Sequence, residues 1–233
     1  KIEMTYSKVI RITREMLKKE IIHKTPNVLE IGCGDGTWAI EMAKYGAHVT
    51  ATDISEMNVN ITKLRAERNN LILNQFPCSC DNTGLDSNSF DLIFGFGIIH
   101  HLTHDVEEST FKEVYRLLKP GGKAIFVESV NNSKVLNFLR LLIPITQKHN
   151  PRPSKLSKSY YEFQENDPHP ERENTTKHYK LFLNNCGFRD IKLKHIGIFS
   201  RLDRITINYN WRKFFHNIDY FIQPFIPFNK LLS

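Results

Sequence analysis

Val28-Leu29-Glu30-Ile31-Gly32-Cys33-Gly34-Asp35-Gly36 joins a short apolar run to a turn with glycine at every second position. The run reads as a buried strand, and the glycines end it. Residues 37–45 then keep a helical pattern, with Gly46 as the cap. Strand, glycine turn and helix in that order let the backbone bend sharply, approach a ligand closely and present helix amides to its polar groups. A plain tight turn between strand and helix has the same residues, so the rest of the chain has to decide.

The pattern repeats downstream. Residues 47–52 alternate as a second strand that ends at Asp53. Ser55 is placed to cap a helix reaching about Asn69. Leu71-Ile72-Leu73 reads as a third strand and residues 91–95 as a fourth, an unbroken apolar run suited to a sheet covered on both faces. Residues 107–118 carry Phe111, Val114, Tyr115 and Leu118 on one helical face. Lys119-Pro120-Gly121-Gly122 stops that helix, and residues 124–128 form a fifth strand. Alternation of this kind predicts an α/β chain: a doubly wound, mostly parallel sheet with helices on both faces and ligands beyond the carboxyl ends of its strands. Ahead of the 25–130 core, residues 1–24 form an amphipathic cap helix, with Tyr6, Val9, Ile10, Met16, Leu17 and Ile21 on its stripe and Pro26 at its end. Residues 131–174 are an insertion, polar and proline-rich in its second half, read as a lid over an acceptor. Residues 175–233 hold a further helix (175–186, capped by Gly187), a last strand over 191–198 and a C-terminal amphipathic helix over 209–222.

The 233 residues, 40% hydrophobic and 24% charged, exclude disorder and fibrous repeats. No stretch of eighteen apolar residues is present, so no transmembrane segment is expected. Four cysteines are too few for a disulfide scaffold, and a cytoplasmic location is expected. The net charge of +7 is uneven: residues 1–130 carry 15 basic and 17 acidic side chains, and residues 131–233 carry 17 and 8.

Asp53 adds to the glycine turn. A carboxylate at the end of the second strand, about twenty residues after the turn, is placed to accept hydrogen bonds from both ribose hydroxyls of a nucleoside. Its structural alternative is a cap for the following helix. A nicotinamide-dependent dehydrogenase shares the Asp53 logic. It asks for a third glycine at the dinucleotide spacing, which Gly32-Cys33-Gly34-Asp35-Gly36 lacks, and it leaves Leu118-Lys119-Pro120-Gly121-Gly122 unexplained.

Residues 28–36, Asp53, Ser89-Phe90-Asp91-Leu92-Ile93 and Leu117-Leu118-Lys119-Pro120-Gly121-Gly122 together resemble the class I S-adenosylmethionine-dependent methyltransferases, which have a Rossmann-like sheet. The resemblance implies that S-adenosyl-L-methionine is the cofactor and S-adenosyl-L-homocysteine the product. It implies that Glu30, Gly32 and Gly34 frame the methionine end, Asp53 holds the ribose and Ile54 packs on adenine. Asp81 then meets the exocyclic amine, Asn82 the ring, and Phe96 and Gly97 the sulfonium.

His100 and His101 follow the fourth strand, beside the expected methyl position, and either is a candidate general base. Tyr6, Glu128 and His178 are candidates for lining the acceptor site; each has an equally simple structural role. No metal site is expected: Cys78-x-Cys80 has no second pair, and His100-His101-x-x-His104 has no clear acidic or thiol partner. The basic, aromatic C-terminal part reads first as a cover for the acceptor pocket. Trp211, Phe214 and Phe215 beside Arg212 and Lys213 also suit an interfacial helix on anionic lipid. Scattered rather than clustered basic residues argue against nucleic acid. The expected activity is methyl transfer to an oxygen or nitrogen of a small, anionic acceptor. A peripheral membrane methyltransferase acting on a lipid, and a non-catalytic cofactor-binding subunit, are the alternatives.

Overall fold

The computed structural model describes residues 3–128 and 175–194, together with Asn217. The elements run α1 (Glu3–Ile21), β1 (Asn27–Ile31), α2 (Thr37–Lys44), β2 (His48–Asp53), α3 (Glu56–Arg68), β3 (Asn74–Pro77) and β4 (Phe90–Phe96). A 3-10 turn (Ile99–His101), α4 (His104–Leu117), β5 (Leu118–Val127) and α5 (Thr176–Asn185) complete them. The five strands form one sheet in the order β3-β2-β1-β4-β5, and every pairing is parallel. This is the Rossmann-like α/β arrangement expected from the alternation.

β1 lies at the centre and is buried from Val28 onward. Successive side chains of a strand face opposite ways, and the core divides accordingly. Val28 packs with Leu17 and Ile21 of α1, Trp38, Ala39 and Met42 of α2, and Phe94. Leu29 and Ile31 pack on the other face with Ile93 and with Val114 and Leu117 of α4. Each such side chain contributes about 1.5–3 kcal/mol by burial. Glu30 falls on the Val28 side, where pattern alone would place an apolar residue.

Five expectations need correction. The third strand begins at Asn74, not at Leu71. Asn70 is left-handed (φ 54°) and the Leu71 N–H donates to Ala66 O, so Leu71 belongs to the exit of α3, and Ile72 is 97% exposed. The cap helix stops at Ile21 through a turn with His23 and Thr25 left-handed, before Pro26 is reached. α4 starts at His104, one residue after Thr103, and its Tyr115 is exposed rather than buried. β5 starts at Leu118, which pairs with Phe90, and its register shifts before Lys123 pairs with Leu92. Pro120-Gly121-Gly122 is thus an irregularity inside the strand. Residues 191–194 carry no strand. The rest of that expected strand, the 131–174 lid and the C-terminal helix lie outside the described residues, apart from Asn217, which is helical and exposed.

Candidate active site

The β1 turn is built around left-handed glycines. Gly32, Gly34 and Gly36 have φ of 64°, 53° and 73°, a region that L-residues with a Cβ enter at a cost. A Cβ on Gly32 would lie 2.4 Å from Ile98 Cδ1, and one on Gly36 2.5 Å from Thr62 Oγ1; at Gly34 the space is open. Gly32 and Gly36 therefore allow close packing, whereas Gly34 leaves bare backbone facing free volume. The Cys33 N–H donates to Thr52 O and the Gly36 N–H to Cys33 O, which ties the turn to β2. Asp35 accepts from Thr37 N and Oγ1 and pairs with Arg65. Cys33 is buried, and desolvation lifts its thiol to about 12, so it is inert packing.

Asp53 closes the next strand end at 9% exposure. Its Oδ2 accepts from Gly34 N at 2.8 Å. Its Oδ1 accepts from Ser55 N at 2.9 Å and Asn58 Nδ2 at 3.2 Å. Asp53 thus also has the local role read as its alternative: it holds the glycine turn against the start of α3. A carboxylate has about four lone-pair positions, so these three bonds leave one or more for a ligand hydroxyl. Ser55 caps α3, accepting from Asn58 N. Ile54 follows at 80% exposure, an apolar side chain open to a flat ring.

Glu30 is 1% exposed. Ala39 N–H donates to it, while desolvation, with Asp35 and Asp53 nearby, raises its carboxyl well above the usual range. Its Oε2 is buried without a hydrogen-bond partner. A buried carboxylate costs several kcal/mol unless something pairs with it. An ammonium group beside the turn would do so. The orphaned Glu30 oxygen, the open Gly34 backbone and the exposed Ile54 together fit the amino-acid, sugar and base portions of S-adenosyl-L-methionine.

The loop after β3 is anchored from α4. Ser79 Oγ donates to Asp81 Oδ1, Asn82 N to Ser79 O, and Thr83 N and Oγ1 both to Glu113 Oε1 at 3.1 and 2.6 Å. Hydrogen bonds from Arg116 and Thr83 bring the Glu113 carboxyl down to about 2. Asp81 is half-buried and Asn82 exposed. Burial raises the Cys78 and Cys80 thiols, and Cys80 Sγ meets Thr110 Oγ1 at 3.2 Å.

At the end of β4 the ring of Phe96 lies 5.1 Å from that of Trp38. Gly97 is left-handed and donates its N–H to Val127 O. His100 covers Gly97: its Cε1 is 3.6 Å from where a Gly97 Cβ would sit. His100 Nδ1 is 2.9 Å from Glu128 Oε2, while Ile99 N–H donates to Glu128 Oε1 at 2.8 Å. Glu128, a candidate from sequence for the acceptor site with a structural role as its alternative, has both oxygens engaged in fixing the His100 segment. His101 lies with its ring centroid 4.2 Å from that of His100 and is exposed.

Tyr6 falls within α1, and its side chain lies outside the described residues. His178 belongs to another element than His100 and His101. It sits on α5 beside Glu107 of α4, and Glu107 is also the acidic neighbour of His104 that the sequence reading lacked. The signal was present as His104-x-x-Glu107, the i, i+3 spacing that puts two side chains on one helical face. Its partner, 71 residues away, was not readable from spacing.

Residues 28–122 match the family model described as "Methyltransferase domain". A ubiquinone biosynthesis O-methyltransferase from Coxiella burnetii is 31% identical over 117 residues, 50% of this chain and 49% of that protein. One of the same name from Mesorhizobium japonicum is 30% identical over 106 residues, 46% of this chain and 41% of that protein. The chain spans about half the length of the curated relatives it matches. Among solved structures, phosphoethanolamine N-methyltransferase 2 from Haemonchus contortus, in complex with S-adenosyl-L-methionine, superposes with a TM-score of 0.62 at 20% identity. That match covers 94% of this chain and 45% of the other. The YcgJ protein from Bacillus subtilis gives 0.58 at 17% identity, over 86% and 80%. These two matches speak for the fold, and the motifs at the strand ends agree with it. Over residues 28–122 the chain therefore matches a methyltransferase-domain model and resembles, along that stretch, the curated O-methyltransferases.

Proposed function

We propose that the protein transfers a methyl group from S-adenosyl-L-methionine to an oxygen of a small-molecule acceptor. The observation that carries this reading is the 2.9 Å contact between His100 Nδ1 and Glu128 at the carboxyl ends of β4 and β5. The cofactor supplies an electrophilic methyl on a sulfonium. On this reading Asp53 holds the ribose, Ile54 covers the adenine with Asp81 and Asn82 at its edge, and Glu30 with the Gly32–Gly34 backbone takes the amino-acid end. Phe96 and Gly97 border the sulfonium. Glu128 accepts from His100 Nδ1–H, so that Nε2 is the basic nitrogen. An acceptor hydroxyl gives its proton to His100 Nε2 as its oxygen bonds to the methyl carbon, and the electron pair of the broken carbon–sulfur bond stays on sulfur. His101, its ring tilted against that of His100, forms the rim.

The names of the sequence relatives support oxygen as the methylated atom. The positive excess of residues 131–233 supports an anionic acceptor, and free cysteines at 33, 78, 80 and 186 agree with a reducing, cytoplasmic setting. No helix among the described residues is long and apolar enough to cross a membrane.

The test is transfer of labelled methyl to hydroxylated aromatic acceptors, beginning with catechol, with ethanolamine-type amines in parallel. His100→Ala is expected to slow transfer by about 10²–10⁴-fold while S-adenosylhomocysteine still binds. Transfer confined to amines, or an undiminished rate in His100→Ala, contradicts the oxygen reading.

A further inference from the structure

We propose that His104, Glu107 and His178 form a binding site for a divalent metal ion of the zinc class, one that fastens α5 to α4. None of the three has a part in the methyl-transfer reading, so the proposal stands independently of it.

The cluster is formed by two helix starts. Thr103 is the N-cap residue of α4, so His104 and Glu107 lie one turn apart on the same face. Thr175 caps α5 by accepting from His178 N at 3.1 Å, which places His178 in the first turn of the opposing helix. Its imidazole is stacked on Phe182, with ring centroids 5.5 Å apart and planes 15° apart, so the ring has a fixed orientation.

His104 Nδ1 lies 3.6 Å from Glu107 Oε2, and His178 Nε2 lies 3.7 Å from the same oxygen. One ligand atom from each of the three residues lies within 4.8 Å of the other two. Both nitrogen–oxygen separations exceed hydrogen-bond length. They are close to the spacing of ligands around one ion: metal bonds of 2.0–2.1 Å in tetrahedral geometry put ligand atoms roughly 3.3 Å apart. A contraction of a few tenths of an ångström would bring both nitrogen–oxygen separations to that spacing.

A second observation points the same way. His178 Nε2 is buried and makes no hydrogen bond, although the Glu107 oxygen is its near neighbour. Glu107 itself is 0% exposed. A buried imidazole nitrogen left without a hydrogen bond is costly, and a cation placed between it and the neighbouring carboxylate oxygen would satisfy it.

Two nitrogens and one carboxylate suit zinc and the later first-row divalent ions; calcium and magnesium prefer shells of oxygen. Three protein ligands leave a position for water on the His104 side, where the imidazole is 65% exposed. Among the described residues this is the one group of three or more side chains with such convergence.

The test uses the untagged, metal-free full chain titrated with Co(II), whose visible bands report low-symmetry, tetrahedral-type coordination. One equivalent is expected to develop these bands, and Zn(II) is expected to bleach them and raise the melting temperature. His104→Ala, at an exposed position that leaves the core intact, is expected to weaken Co(II) binding more than tenfold and to abolish the Zn(II)-dependent melting shift. His178→Ala is expected to do the same, and Cys80→Ser to change neither. If His104→Ala does not fold, His104→Gln serves in its place. Absence of the bands and of the melting shift in the unaltered protein, or their persistence in the histidine variants, overturns the proposal and leaves the cluster as an ion-pair contact between two helices.

Discussion

Glu30 is the residue whose chemistry and position are most at odds. A buried carboxyl raised well above its ordinary range binds a proton more tightly folded than unfolded. Its contribution to stability is therefore fully present below the unfolded value and is lost as pH rises toward the folded one. Glu30→Gln is expected to raise the melting temperature of the ligand-free protein at neutral pH and to weaken binding of S-adenosylhomocysteine, measured by thermal melts and calorimetry on the same samples. A stabilised variant with unchanged affinity would remove Glu30 from the cofactor site. Gly36 makes the opposite case. It was read from sequence as a source of turn freedom, and its left-handed φ bears that out. Its contact with Thr62, whose side chain a Cβ would meet at 2.5–2.9 Å, could not be read there, because Thr62 is distant in sequence and fully buried. Gly36→Ala combines a left-handed alanine with overpacking and is expected to cost about 2–4 kcal/mol in denaturant melts.

At the scale of elements, α4 organises the site side of the sheet. Its Glu113 reaches back to Thr83 and across to Arg116, while Arg116 donates to Leu85 O and Ser87 Oγ. The loop that carries Asp81 and Asn82 therefore has its geometry from a helix thirty residues later. With the Glu113 carboxyl at about 2 in the fold, its stabilisation is present above about pH 4.5 and is lost as pH falls toward 2. Allowing for solvent on the Arg116 side, it is worth about 1–2 kcal/mol. Denaturant midpoints of the native chain and Glu113→Gln should differ at pH 6 and draw together as pH falls toward 2; a constant gap would mean the carboxylate charge is not what holds the loop. The strands that were legible in sequence are the central ones: β1 and β4, where burial on both faces leaves continuous apolar runs, and β2, whose residues alternate. β3 was misplaced because an edge strand needs fewer apolar residues: Asn74 to Pro77 pair with β2 while no position of theirs is fully buried. Helix ends with side-chain caps, such as Ser55 and Thr175, were readable. The early start of β5 was not, because a proline and two glycines argue against a strand unless the neighbour's register is known.

For the molecule as a whole, the order β3-β2-β1-β4-β5 brings the β1 turn, Asp53, Gly97 and Glu128 to one edge of the sheet, and that edge was predictable from alternation alone. Pairing of side chains across elements was not: His100 with Glu128 and His178 with Glu107 each join segments 28 or more residues apart, and no local period encodes them. The +7 charge divides between a near-neutral stretch over residues 1–130 and a basic remainder, so under the proposed function it bears on the acceptor rather than on the cofactor. The cofactor assignment is the claim on which the rest depends. Its most direct test is calorimetric titration of S-adenosylhomocysteine into the unaltered protein and into Asp53→Asn, with melting curves to verify folding. The unaltered chain should bind one equivalent. Asp53→Asn should bind more than about tenfold more weakly, since hydrogen bonds to a charged partner are worth about 1.5–3 kcal/mol each. No saturable binding, or equal affinity in a folded Asp53→Asn protein, would contradict the account.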